Sequence, residues 1–180
     1  MDLSSYPIKY IRPVQLSDGT FVQLRPIHPL DGQQAHQFKD SLSIESIYNR
    51  FFGYIPKVSE KLIKRLTSIN YEKEMAIIAE TIDEEKEVIA VARIAPDRNQ
   101  SAEFALIISD RWQGKKLGTI LTSYMIEIAQ DLGFSSVYAL VLSHNTGMLE
   151  ILRRQHFRLQ VEDESSIRAD LDLIKNRRVK

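Results

Sequence analysis

Residues 101–142 constrain the fold more tightly than any other part of the chain. An apolar run, SAEFALIIS, leads through DRWQGKKLGTIL into a helical pattern, and a second apolar run, SSVYALVLS, follows it. Between about Lys116 and Leu132, the residues Leu117, Leu121, Tyr124, Ile128 and Leu132 share one helix face, and Gly133 is placed to stop it. A strand, a helix and a strand in that order predict parallel neighbours. Only a long crossover can join two parallel strands, whereas a tight turn joins antiparallel ones.

The rest of the chain reads as antiparallel sheet and covering helices. Asp18-Gly19, between two β-rich runs in PVQLSDGTFVQLRPI, is a hairpin signal. EMAIIAETI and EVIAVARIA flank the acidic turn Asp83-Glu84-Glu85. NTGMLEILRRQ is a helix, and FRLQV and SIRADLDL are closing strands, the latter on the alternation Ile167, Ala169, Leu171, Leu173. Three helical segments lie upstream of the sheet. HPLDGQQAHQFKDSL starts weakly at Gly32, and SIESIYNRFFG carries Ile44, Ile47, Tyr48, Phe51 and Phe52 at helical spacing, with Gly53 placed to end it. A third segment follows Ser59, with Leu62, Leu66 and Ile69 on one face. These helices are packing elements that can also form one wall of a substrate cleft. The pattern predicts one α+β domain over 1–180 with a mixed, mostly antiparallel central sheet. Its hairpin and helices span about 12–70 and its core about 74–174.

Composition narrows the function classes. With 43% hydrophobic and 27% charged residues, a chain of 180 residues can bury a proper core. The 24 Lys and Arg balance 24 Asp and Glu, which argues weakly against a nucleic-acid binder, whose affinity rests on neutralising phosphates. The absence of cysteine excludes disulfides, thiolate metal ligands and cysteine nucleophiles. The N-terminus lacks an apolar signal core, and no run reaches the roughly 20 apolar residues of a membrane span. A cytoplasmic protein without membrane contact is expected, with IKNRRVK as a solvated tail.

The turn between the first strand of this unit and its helix has the features of an anion site. Backbone N–H groups converge at a helix N-terminus, the helix dipole adds positive charge, and glycine admits positive φ or close approach of a ligand. Gly114 and Gly118 meet that need, and Lys115 and Lys116 add charge. Neither a Walker A loop nor a dinucleotide G-x-G-x-x-G is present. On the loop alone, a purely structural reading stands level with phosphate binding: Gly114 turning the chain, Gly118 letting the helix pack close.

The surrounding sequence resembles the GNAT-type N-acetyltransferases, whose acetyl-CoA loop has the form Gln/Arg-x-x-Gly-x-Gly/Ala between a strand and a helix. Gln113, Gly114, Lys115, Lys116, Leu117 and Gly118 occupy that pattern, with Lys116 at its first glycine. HNTGMLEILRRQHF keeps the family's Asn-to-Phe spacing at Asn145 and Phe157, with His156 at a glycine position and Leu152 where many members have tyrosine. LRPIHPLDG, SIYNRFFG and LTSINYEKEMAIIAE look like the acetyltransferase domain of bacterial Pat-type protein-lysine acetyltransferases, so the likeness runs from about residue 12 to 174.

The resemblance implies a GNAT-like sheet with helices on both faces and an acetyl-CoA cleft at its one parallel strand pair. The pantetheine arm would pair with the backbone around Leu106, Ile107 and Ile108, where splayed strands commonly carry a β-bulge. The phosphates would meet Gln113 to Gly118 and Thr119, and Asn145 would bond the arm or cap the next helix. Acetyl-CoA is then the donor, no metal is needed, and the acceptor is an amine, either a protein lysine or a small molecule. A non-catalytic CoA-binding module is the remaining alternative, suggested by Lys116, Leu152 and His156. An amine near pKa 10.4 arrives protonated and needs a base. Glu103 is the candidate, against a solvent-facing strand-edge role, and Asp110 is a weaker one that more readily shapes the turn. With Leu152 at the tyrosine position, Tyr124, Tyr138 or a water could protonate the thiolate, or it leaves unaided. His144 and His156 have no evident partners in the sequence. Oligomeric state is not readable from the sequence.

Overall fold

The computed structural model describes residues 6–53 and 59–176. Arg12–Gln15 (β1) and Phe21–Pro26 (β2) form the predicted hairpin, with Gly19 at φ 89° in its turn. Three helices follow: α1 (Gly32–Asp40), α2 (Ile44–Phe51) and α3 (Glu60–Thr67). Then come β3 (Met75–Thr81), β4 (Val88–Pro96), β5 (Ser101–Ile108), α4 (Leu117–Asp131) and β6 (Ser136–Leu142). α5 (Thr146–Arg154), β7 (Arg158–Val161), β8 (Ser166–Asp172) and the short α6 (Leu173–Asn176) complete the described chain. From residue 177 on, the basic end lies outside the described residues.

All eight strands form one sheet, ordered β1-β2-β3-β4-β5-β6-β8-β7, and only β5 and β6 are parallel. The mixed α+β fold expected from the 101–142 unit is therefore observed. Alternation along β3 shows why helices must cover both faces, because every residue of that strand is buried. Met75, Ile77 and Ala79 join a core with Leu121, Met125 and Ile128 of α4 and Leu149 and Leu152 of α5. Ala76 and Ile78 join a smaller core with Ile27, Phe38, Ile69 and Ile107. Among the described residues, no helix is long and apolar enough to cross a membrane.

Local capping follows the sequence closely at most ends. The side chains of Ser43 and Ser59 accept hydrogen bonds from Ser46 N and Leu62 N, starting α2 and α3. Two expectations need correction. Gly53 does not take the left-handed stop after α2, since Phe52 does so one residue earlier, at φ 57° and ψ 27°. On α3, Leu62 and Leu66 do share a side, half-buried along an apolar cavity, but Ile69 lies beyond the helix, which ends at Thr67, and Ile63 and Thr67 are its buried residues.

Candidate active site

The parallel pairing of β5 with β6 is short, covering Ser101, Ala102 and Glu103 opposite Ser136, Val137 and Tyr138. Past that point β5 continues to pair with β4 as far as Ile108, opposite Ala90, and β6 with β8 as far as Leu142, opposite Ser166. The sheet therefore opens between two intact halves. The predicted β-bulge is not what opens it, because β4 and β5 keep one register throughout. The register shift lies instead between β3 and β4, at Ala79 and Glu80. The strands part because β6 pairs with β8, whereas β5 stays with β4 and runs on into the turn before α4.

A cavity of about 700 Å³ fills this opening. Glu103, Leu106, Ile107, Ile108, Gln113, Gly114, Lys116, Leu117, Gly118, Thr119 and Asn145 all line it, so one site gathers nearly every residue singled out in the sequence. Lys115 stands apart. Its ammonium pairs with Asp18 at 2.8 Å and lies over the Trp112 ring, and its carbonyl accepts from Ser17 N at 3.2 Å. The hydrogen bond from Lys115, helped by Thr20, holds the Asp18 carboxyl down at about 2. Lys115 thus fastens the turn to the β1–β2 hairpin.

The two glycines of the turn have different work. Gly114 sits at φ 76° with open space where a side chain would be. Gly118 lies inside α4, where an added Cβ would come within 2.7 Å of Ile151 Cδ1. Close helix packing is therefore real at Gly118, and backbone freedom is real at Gly114. Lys116 adopts φ 66° and ψ 5° at the N-cap of α4, a left-handed conformation that glycine accepts more readily, and no side chain caps the helix there. The orphan N–H groups of the first turn are thus left for water or a ligand. Beside them, the buried indole N–H of Trp112 has no hydrogen-bond partner, and Trp112 also lines the cavity.

Helix α2 spans the opening. At its start, Asp110 accepts from Ser43 N at 2.9 Å, Ser43 Oγ at 2.7 Å and Ser46 Oγ at 3.0 Å. Burial pushes the Asp110 carboxyl up, but the bonds from Ser43 and Ser46 outweigh it and hold it below the usual value. Gln113 Nε2 donates to Ser46 Oγ and to the Ile108 carbonyl, both at 3.1 Å. Near the other end of the helix, Asn49 Oδ1 meets His144 Nε2 at 3.0 Å, which gives His144 a partner the sequence did not reveal. Glu45, Ser46, Asn49 and Arg50 of α2 then line the cavity, so this helix is the expected cleft wall.

On the far side, Asn145 Oδ1 accepts from Met148 N at 3.1 Å and caps α5, which leaves its NH₂ group outside that cap. Leu152 is fully buried in the core, and α5 presents Met148 and Ile151 to the cavity. Neither candidate tyrosine lines it. Tyr124 OH donates to the Tyr10 carbonyl at 2.8 Å, and burial pushes its pKa up to about 12. Tyr138 OH donates to Asp97 at 3.0 Å, and burial followed by that bond raises it to about 12 as well. His156 is exposed, at φ 65°. Glu103 is exposed on β5 and makes no hydrogen bond or ion pair among the described residues.

The cleft thus has an uncapped helix N-terminus at one end and an exposed carboxylate at the other. The chain belongs to the acetyltransferase (GNAT) family, whose profile matches residues 42–157. A curated acetyltransferase of Pseudomonas aeruginosa is 30% identical over 138 residues, covering 76% of this chain and 74% of that protein. The GNAT domain of S. lividans PAT superposes with a TM-score of 0.86 at 25% identity, over 93% of this chain and 99% of that one. Spermidine N-acetyltransferase from Vibrio cholerae, solved with CoA and spermine, shares the fold at a TM-score of 0.68. It is 20% identical, over 86% of this chain and 96% of its own.

Proposed function

We propose that the protein moves acetyl from acetyl-CoA to the side-chain amine of a protein lysine, with Glu103 as general base. One observation carries this reading: the opening between β5 and β6 holds the glycine turn at one end and Glu103 at the other, inside one cavity. The donor fits that cavity. Its phosphates suit the uncapped start of α4 and the open backbone at Gly114. Bound acetyl-CoA supplies an acyl group already activated as a thioester.

The chain's own groups do the rest. N–H groups of β5 that face the opening polarise the thioester carbonyl, a dry and fixed form of charge stabilisation. Glu103, directly or through one water, takes the proton of the arriving amine. The new C–N bond forms as the C–S bond breaks, and the sulfur carries the electron pair away. Among the described residues, no tyrosine or histidine lines the cavity. The thiol is acidic enough, near pKa 8.5 for an ordinary thiol, for its thiolate to leave without a dedicated acid.

The protein acceptor is supported by the Pat-type stretches of the sequence, and by Phe51 and Phe52. Both line the cavity while 40% and 41% exposed, an aromatic rim suited to a polypeptide. Labelled acetyl-CoA with a panel of folded proteins, lysine peptides and small amines tests the reading. Label on protein lysines, mapped by mass spectrometry, is expected. Transfer to small amines alone overturns the lysine acceptor. Binding of acetyl-CoA with no CoA release for any amine in the panel makes the protein a binding module.

A further inference from the structure

Arg50 is a half-buried cation on the cavity wall, with Glu103 as an opposite charge across the cleft but no carboxylate hydrogen-bonded to it among the described residues. It sits at the end of α2, and its guanidinium carbon lies 4.8 Å from the centre of the Phe51 ring. Burial is the main influence on it and pulls its pKa below the usual arginine value, while Glu103 opposes that pull and Arg93 adds to it. Arg93 is committed elsewhere, to Glu74 at 2.7 Å and to the Leu66 carbonyl. No hydrogen bond or ion pair engages Arg50 among the described residues. A partly desolvated guanidinium with free donors gains from a partner that can hydrogen-bond it.

Its position says what that partner belongs to. Ser43 and Ser46, at the start of α2, are tied to Asp110 and Gln113 beside the phosphate turn. Arg50 lies about two turns beyond Ser43, roughly 10 Å at 1.5 Å per residue, toward Glu103. It lines the main cavity together with Glu103. It also lines the neighbouring apolar cavity, and Phe51, Ala105 and Ile107 are likewise shared by the two. Arg50 therefore stands where the acceptor enters, away from the donor's phosphates. An acceptor with no charge but its ammonium is attracted by Glu103 and repelled by Arg50. An acceptor that also carries a carboxylate satisfies both groups, and the planar fork of arginine suits a carboxylate better than a point charge does.

We infer that Arg50 receives a carboxylate borne by the acceptor beside the reacting amine, so that the preferred substrate is a lysine flanked by aspartate or glutamate. This rests on the lysine-acceptor reading of the same cleft. The test uses matched peptide pairs, Glu-Lys against Gln-Lys, on the wild-type protein, Arg50→Gln and Arg50→Lys. Initial rates give the ratio of kcat/KM, and calorimetry in the presence of CoA gives the ratio of Kd. Wild type should favour the acidic peptide about tenfold in both ratios, a modest yield for a charge-assisted bond. Arg50→Gln should bring the ratios close to one, and Arg50→Lys should keep part of the preference. Raised salt should shrink the wild-type ratio. Wild-type ratios near one overturn the inference, as does a preference that survives in Arg50→Gln. If that variant does not fold, the wild-type and Arg50→Lys ratios decide. Absence of transfer to every peptide removes the lysine reading, while the Kd ratios still decide the role of Arg50.

Discussion

Lys116 and His156 stand at positions where the family pattern has glycine, and both keep the backbone that glycine favours, at φ 66° and 65°. Each therefore holds a backbone conformation that glycine would accept at lower cost. A left-handed conformation costs an ordinary side chain about 1 kcal/mol, so Lys116→Gly should stabilise the protein by up to that amount in urea unfolding. Acetyl-CoA affinity in the same variant should stay within about tenfold, roughly 1.4 kcal/mol, because the phosphate contacts are assigned to backbone amides. Complete loss of binding would show that the lysine ammonium is essential. Glu103 tests the chemistry at the same scale. Glu103→Gln keeps size and shape but removes the base, so turnover near pH 7 should fall by roughly 10²–10⁴ with acetyl-CoA affinity nearly unchanged. Raising the pH should recover part of the loss, since more of the amine is then already neutral. Wild-type turnover near pH 7 would take Glu103 out of the mechanism. Asp110 could not replace it as base without giving up Ser43 and Ser46.

At the scale of elements, α2 and α4 make the cleft, and they were legible to different degrees. α4 declared itself through its apolar face and flanking strands. α2 was readable as a helix but not as a bridge, because its ties run to Asp110, Gln113 and His144, all far away in sequence. Arg50 was missed for the same reason: an arginine in IYNRFF looks like a solvated residue until the opposite strand shows what it faces. The only sequence clue was its place among apolar neighbours. Phe52 took the turn expected of Gly53, since one aromatic residue in left-handed backbone is invisible to propensity. Gly118, by contrast, was open to two readings, and packing is testable. Gly118→Ala gains helix propensity but meets Ile151 Cδ1, an atom that Ile151→Val removes. A double-mutant cycle should give a coupling of at least about 0.5 kcal/mol, with the pair more stable than Gly118→Ala alone. Strict additivity would mean that Ile151 swings aside at no cost.

The whole molecule is two antiparallel half-sheets, β1 to β5 and β6 to β8, held directly together by the short parallel pairing at Ser101–Glu103 and braced by the helices. A donor lying in the opening would touch both halves, β5 and the α4 turn on one side and Asn145 on the other. Its binding should therefore protect the fold as a unit. By mass action, acetyl-CoA at 100 times its Kd adds about 2.7 kcal/mol. For a chain of this size that is a rise in Tm of roughly 5–10 °C, at some 2–4 °C per kcal/mol. Gly114→Asp is the informative variant. Gly114 has open space around its missing Cβ, and aspartate tolerates positive φ better than most residues, so the unliganded fold should survive. The carboxylate would nevertheless stand where the phosphates approach and oppose them by like charge. Thermal melts with and without acetyl-CoA should show the wild-type rise largely lost in Gly114→Asp, with the unliganded Tm only modestly lowered. An undiminished rise would move the phosphates away from the turn, and with them the donor end of the cleft.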